Sequence, residues 1–134
     1  MKGYLLKDQN IIMGEQTFIE SVSSENNYQV IFEDDTDTGY FYAAERNKVT
    51  DELRILDMLL VYDVESIKVS ERNAILNIIW STDWMKCALV INNYCHAVFD
   101  FAKQGGYNRH EFPPPVLWHK ERKLTDEMIA AFFQ

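Results

Sequence analysis

Residues 75–101, ILNIIWSTDWMKCALVINNYCHAVFDF, are three runs rich in β-branched, aliphatic and aromatic residues, divided at Ser81-Thr82-Asp83-Trp84 and at Asn92-Asn93. Asn tolerates the positive φ that two-residue hairpin turns of the primed types need, so Asn92-Asn93 between apolar runs predicts a hairpin. Turns at Thr82-Asp83 and Asn92-Asn93 fix which side chains share a face, because successive residues of a strand point to opposite sides. One face then carries Leu76, Ile78, Trp80, Met85, Cys87, Leu89, Ile91, Tyr94, His96, Val98 and Asp100. The other carries Ile75, Asn77, Ile79, Ser81, Trp84, Lys86, Ala88, Val90, Cys95, Ala97, Phe99 and Phe101. Both faces are mainly apolar. Strands of this kind sit centrally, with a layer of structure packed on each side.

The same register points Cys87 and Cys95 to opposite faces, so the two are expected neither to form a disulfide nor to share a metal. At 134 residues the chain is long enough for one domain with a real core. Lys and Arg number 13 against 21 Asp and Glu, a formal net charge of −8. That balance argues against nucleic-acid binding, which needs clustered cations to neutralise phosphates, and suits a basic protein partner. MKGYLLKDQN holds no apolar stretch long enough for a signal peptide, and no later run approaches a membrane span. Two cysteines without a secretory signal read as free thiols. The expectation is a cytoplasmic protein with no membrane or nucleic-acid partner, its oligomeric state left open.

Upstream of the meander the pattern is weaker. Ile11-Ile12-Met13 and Thr17-Phe18-Ile19 suit short edge strands broken at Gly14, and 21–27 a polar loop. Residues 28–33 and 40–44 are β-branched and aromatic and flank Asp34-Asp35-Thr36-Asp37-Thr38-Gly39, which gives a hairpin with an acidic tip. The run 55–64, ILDMLLVYDV, is readable as buried helix or strand, with a strand favoured for its second half. Residues 65–74 form a charged connection. After Phe101 an irregular polar loop leads to Pro113-Pro114-Pro115, which favours an extended path. The last element is a helix. Thr125 suits its cap, Asp126 and Glu127 its positive end, Leu124 and Ile129 a hydrophobic staple, and Met128, Ile129, Phe132 and Phe133 an apolar stripe for docking on the sheet.

Three groups of residues invite a chemical reading. The acidic turn matches a calcium loop loosely, with Asp34, Thr36, Thr38, Gly39 and Glu45 at positions 1, 3, 5, 6 and 12. Its flanks read as strands rather than helices, so a hairpin tip is the plainer account, and Glu33, Asp34, Asp35 and Asp37 with Tyr40 and Tyr42 form a candidate partner-binding surface. Cys87, Cys95, His96, His110 and His119 lack the close ligand pairs of zinc sites, so no metal is expected. Cys87 and His96 share a face, which leaves open a thiol–imidazole pair beside the commoner buried thiol and hydrogen-bonded histidine. Asp100, Tyr107, Arg109 and His110, with Glu111, form a candidate pocket for anion binding or acid–base work, or else an ion pair of Arg109 with an acid such as Asp100 that pins the loop. No phosphate loop, dinucleotide fingerprint or hydrolase motif occurs, and no cofactor is expected.

FEDDTDTGYFYA (32–43), ILDMLLVYDV (55–64), WSTDWMKCALVINNYCHAVFDF (80–101) and GGYNRHEFPPP (105–115) resemble a family of small bacterial proteins catalogued as a domain of unknown function. The resemblance spans about 28–118 and implies a bacterial single-domain setting. It brings no activity and no catalytic residues. In character such small acidic α+β proteins are similar to immunity proteins that neutralise bacterial toxins.

The sequence therefore predicts one α+β domain: a largely antiparallel sheet of five or six strands centred on 75–101, with the C-terminal helix packed on one face. The alternative is a small β-sandwich or half-open barrel with that helix as a lid. The function read from it is a non-enzymatic protein-interaction module using the acidic hairpin. The alternative is a small-molecule binder or enzyme with a pocket near 103–115.

Overall fold

Lys86–Ile91 is the middle strand of a five-stranded sheet, with an apolar layer on each side. The computed structural model describes residues 1–118 and 121–134. The described residues form strands β1 (Tyr4–Ile12), β2 (Thr17–Val22), β3 (Tyr28–Asp34), β4 (Thr38–Arg46), β5 (Leu53–Asp63), β6 (Asn73–Trp80), β7 (Lys86–Ile91), β8 (Tyr94–Asp100) and β9 (Gly105–Asn108), two 3-10 turns within 64–71, and one helix, α1 (Asp126–Phe132). One sheet has the order β1-β6-β7-β8-β9 and the other β2-β3-β4-β5, every neighbouring pair antiparallel.

The expected antiparallel architecture with a C-terminal helix holds. Its extent is corrected: nine strands in two layers replace five or six in one sheet. β1 comes from a stretch whose exposed edge position carries no clean apolar alternation. β9 comes from Gly105-Gly106-Tyr107-Asn108, read as irregular because glycine and asparagine are poor strand formers in isolation. Its backbone is held from outside, by β8 on one edge and the C-terminal segment on the other. The ambiguous run 55–64 is strand through Asp63, so the strand reading extends beyond its second half.

Both hairpins of the meander form, and their details decide the faces. Asn92 and Asn93 have φ of 50° and 64°, as a primed turn requires. The first turn is two residues longer than expected, since Ser81 pairs with Lys86 and Trp80 with Cys87. An even shift leaves every facing unchanged, so Leu76, Ile78, Trp80, Cys87 and Leu89 share the inner face as predicted. A β-bulge in β8 alters the faces downstream of it. Val90 opposes Cys95 and Leu89 opposes Ala97, which leaves His96 as the additional residue. Beyond it the parity inverts. Ala97, Phe99 and Phe101 join the Cys87 side, and Val98 joins Cys95, Ala88 and Val90 on the other. Cys87 and Cys95 precede the inversion and lie in separate apolar clusters, both buried.

The two sheets pack face to face. Val30, Phe32, Phe41, Leu59 and Val61 from the four-stranded sheet meet Leu76, Ile78, Trp80, Leu89 and Phe99 from the other. Burial of these side chains is the main stabilising term of such a layer pair. Phe41 stacks on Phe99 at 5.0 Å between centroids, and Tyr28 on Phe101 at 4.4 Å. Trp80 Nε1–H donates across the interface to Ser21 Oγ at 3.0 Å, so the largest core side chain leaves no donor unpaired. The opposite face of β7–β9 is covered by Leu124, Phe133 and the half-buried stripe Met128, Ile129 and Phe132. Thr125 caps this helix as expected, its hydroxyl accepting from Met128 N–H.

One side of the sandwich is closed by Arg122. Its side chain is 3% exposed and pairs in bidentate fashion with Asp57 of β5, itself 8% exposed, at 2.7 and 2.8 Å. The same guanidinium donates to the carbonyls of Gly106 in β9 and of Pro113. Gly106 is required here, because a Cβ would collide with Asp57 Oδ2. Asn108 Nδ2 adds bonds to the carbonyls of Leu60 (2.9 Å) and Phe112 (2.7 Å). Arg122→Met is expected to lower stability by about 3–5 kcal/mol, because it strands the Asp57 carboxylate in a dry site. Urea unfolding of this variant beside Arg122→Met/Asp57→Leu measures it, and the double variant should recover most of the loss.

Candidate functional site

The acidic hairpin divides into a buried member and an exposed tip. Asp34 ends β3 fully buried, with a 0% exposed side chain. Its carboxylate accepts from Gly14 N–H (2.7 Å), Thr36 N–H (2.8 Å) and Tyr62 O–H (2.5 Å). Those partners are donors, the reverse of a metal cage, and among the described residues no group of three His, Cys, Asp or Glu is placed to hold a metal. Gly39 pairs with Tyr62 across β4 and β5, and a Cβ there would lie 2.6 Å from the Tyr62 ring, so the glycine lets the phenol reach Asp34. Burial first, and then the Asp34 bond, push the Tyr62 hydroxyl far above its ordinary pKa. Asp35 is exposed and caps the turn through bonds from the Asp37 and Thr38 N–H groups, which lower its pKa. Asp34 is therefore withdrawn from the expected partner surface, while Asp35 and Asp37 remain on it.

Strand register spreads that surface over the outer face of the four-stranded sheet. Phe18, Glu33, Tyr40 and Leu60 form one cross-strand row, Glu20, Ile31, Tyr42 and Met58 the next, and Val22, Gln29, Ala44 and Ile55 a third. Phe18 is 60% exposed, Val22 55% and Ile55 50%. Tyr40 and Tyr42 are half-buried with centroids 6.2 Å apart, and Tyr42 O–H donates to Glu33 at 3.5 Å. Burial raises the Tyr42 pKa, with the Glu33 charge adding to it. The acids and the tyrosines stand out in the sequence. Phe18, Val22 and Ile55 do not, since only strand pairing brings them alongside.

The four residues proposed to line a pocket near 103–115 take separate roles. Asp100 is buried, and its Oδ1 accepts from the Ala102 and Lys103 N–H groups at the turn into β9. Tyr107 opposes Val98, packs near Phe132 at 5.8 Å, and is raised in pKa mainly by burial. Arg109 does not pair with Asp100. It donates to Asp126 at 2.9 Å and to the carbonyls of Cys95 and Leu124, with its guanidinium 4.5 Å from the Tyr94 ring centre. His110 turns to the other side of the sheet, with Nε2 3.1 Å from the Val61 carbonyl.

There His110 meets His96, the bulge residue, across a cavity of about 390 Å³ at the Asn92–Asn93 end of the sandwich. Burial, then the neighbouring His110 and Arg109, lower the His96 pKa to about 4, so the imidazole is neutral near pH 7. Cys87 lies in the inner core, and burial holds its thiol well above the usual range, which removes thiolate chemistry with His96. His119 lies outside the described residues.

The model of a family described as uncharacterised proteins conserved in bacteria, DUF2251, matches residues 11–133. The chain belongs to this family. The match extends past the 28–118 span of the resemblance and takes in β2 and helix α1. A protein from Haemophilus influenzae strain Rd, described as uncharacterised, is 42% identical over 97 residues. Those residues are 70% of this chain and 59% of that relative, so the chain spans about three-fifths of the relative's length. No solved structure matches it significantly. Among the described residues, no helix is long and apolar enough to cross a membrane.

Two pH effects are expected of this family member. The raised Tyr62 pKa supplies stability that is complete below about pH 10 and lost as pH rises further. Tyr62→Phe is expected to cost about 1–3 kcal/mol at neutral pH and to flatten the alkaline loss, as read from melts across pH. The lowered His96 pKa acts at the other end, with stability complete above pH ~6.5 and falling towards pH ~4. His96→Leu should remove an acid sensitivity of about 2–3 kcal/mol over that window, and an unchanged acid limb would refute the neutral, buried imidazole.

Proposed function

We propose that this DUF2251 chain is a non-enzymatic protein-docking module, and that its docking surface is the outer face of the β2–β5 sheet with the Asp35–Asp37 tip. The observation that carries this is the combination, on one outer face, of exposed apolar side chains, two tyrosines and acids. The five-stranded sheet is roofed by α1 over β7–β9 and exposes Leu5, Ile12 and Ile75 on β1 and β6, whereas the rows of β2–β5 set the exposed Phe18, Val22 and Ile55 beside Tyr40, Tyr42, Glu20 and Glu33. Phe18 and Val22 stand on edge strand β2 and Ile55 on edge strand β5, with the half-buried Tyr40 and Tyr42 between them, and apolar side chains exposed beside polar groups suit an interaction site. Tyr40 and Tyr42 are the aromatic anchors of that face, since tyrosine gives large contact area with a polar tip.

The partner class follows from charge. Glu20 and Glu33 stand within the rows and Asp35 and Asp37 at their end, and none of the twelve positions in those rows is Lys or Arg. The whole chain carries −8. A basic protein surface with an apolar centre complements it. The acids steer encounter and the aromatic rows hold the complex. In mode of action this resembles an immunity protein masking a basic target, a comparison of class that names no target.

A photo-crosslinking residue at position 18 tests the face directly, with the same residue at position 77 on the opposite sheet as control. In cells of the source bacterium, position 18 is expected to trap a basic protein that position 77 does not. Asp35→Lys/Asp37→Lys should abolish the adduct, and Tyr40→Ala should weaken the purified complex by about 2 kcal/mol. Equal adducts at both positions, or adducts of the chain with itself alone, would overturn the assignment.

A further inference from the structure

The cavity shared by His96 and His110 lies away from the β2–β5 face and has a chemistry of its own. Met13, Val61, Ile67 and Ile91 wall it with aliphatic carbon, and its volume of about 390 Å³ lies within the range of small-molecule sites. His96 reaches it because the bulge makes this residue the additional one in β8, and bulges commonly re-aim a side chain beside a functional site. Among the described residues, the His96 ring nitrogens have no hydrogen-bond partner. The ring meets the edge of Tyr94 at 4.9 Å.

His110 is oriented from the other side. A carbonyl only accepts, so Nε2 facing Val61 O carries a proton, which fixes how the ring is presented to the cavity. At the mouth stand the exposed Asp63 and Glu71. Asp63 accepts from the Glu65 N–H, whereas Glu71 sits on the second 3-10 turn. No Lys or Arg is among the described residues lining the cavity, and the nearby Arg109 is held by Asp126 and two carbonyls. The site therefore offers apolar walls, the unpartnered His96 ring nitrogens and two carboxylates, with no Lys or Arg in its described lining to neutralise an anion.

We propose that this cavity binds a small organic amine, its apolar body between Val61, Ile67 and Ile91 and its ammonium group directed to Glu71 and the His96 ring. An aromatic or branched aliphatic primary amine fits the volume and the donor–acceptor balance. A carboxylate of the same shape does not, because it meets Glu71 and Asp63 as like charges.

Phenethylamine is the probe, with 3-phenylpropionate and 2-phenylethanol as its anionic and neutral counterparts. Imidazole nitrogen and amide NMR signals of the whole chain report occupancy. Phenethylamine should shift the His96, His110 and Ile91 signals saturably, while 3-phenylpropionate leaves them in place. Glu71→Gln, an exposed change that leaves the melt intact, should weaken the amine roughly tenfold, the effect of losing one charge-assisted contact. It should leave any weak 2-phenylethanol binding unaltered. The proposal is overturned by no saturable shift up to about 10 mM amine, by binding of the carboxylate as tight as the amine, or by a Glu71→Gln variant that binds as wild type does.

Discussion

The Arg122–Asp57 pair joins parts of the chain that would otherwise have little reason to meet. Two antiparallel meanders, β2–β5 and β6–β9, each have an apolar inner face and a free edge. Hydrophobic burial brings such faces together but does not fix which edges lie side by side. A bidentate guanidinium–carboxylate pair between β5 and the C-terminal segment, shared with the carbonyls of Gly106 and Pro113, does fix it. A buried ion pair of this kind contributes little net stability, because desolvation offsets most of its attraction. Its value is positional. It sets β9 beside β5, covers that side of the sandwich with the segment after β9, and so delivers α1 to the outer face of the five-stranded sheet.

Further along β5, at Tyr62, a polar cluster of the same logic holds the start of the chain. Asp34 gathers Gly14, Thr36 and Tyr62, binding the β1–β2 turn, the β3–β4 turn and the end of β5 through one carboxylate. Removing Asp34 would leave three donors without their acceptor, so charge reversal there would test folding rather than recognition. The acidic tip thus has a division of labour that spacing along the chain does not reveal. Asp34 builds the cluster, Asp35 shapes the turn, and Asp37 is left to solvent.

Legibility in the sequence followed the range of the interactions. Local signals were sufficient where the cause is local: the Asn92-Asn93 turn, the Thr125 cap, the acidic hairpin, the apolar stripe of α1. The face assignment survived a turn two residues longer than expected because strand periodicity is itself two. It failed after His96, where one additional residue inverts the parity, and no composition rule marks a bulge at a histidine. β9 was invisible for another reason. Gly105-Gly106 is poor strand material, and its strand character is imposed by Asp57, Arg122 and the close approach of β5. The candidate site shows the same divide. Charged and aromatic residues stood out singly, whereas the Phe18–Glu33–Tyr40–Leu60 row and the His96–His110 cavity exist only through pairing across strands.

The bulge at His96 also shows how one local departure serves two ends. A regular β8 would have sent Phe99 and Phe101 outward beneath α1 and drawn Val98 and Asp100 into the core. The inter-sheet aromatic contacts with Phe41 and Tyr28 would be lost, and the Asp100 carboxylate would face the inner aromatic core. One inserted residue corrects the parity of four side chains. The residue so inserted must occupy the strand without belonging to either face's packing, and at the sheet end its side chain turns to the gap between the layers. A histidine suits that position, since its ring is apolar enough to line a cavity and polar enough to meet what enters it. The packing requirement of the core and the chemistry of the cavity are thus satisfied by the same backbone irregularity.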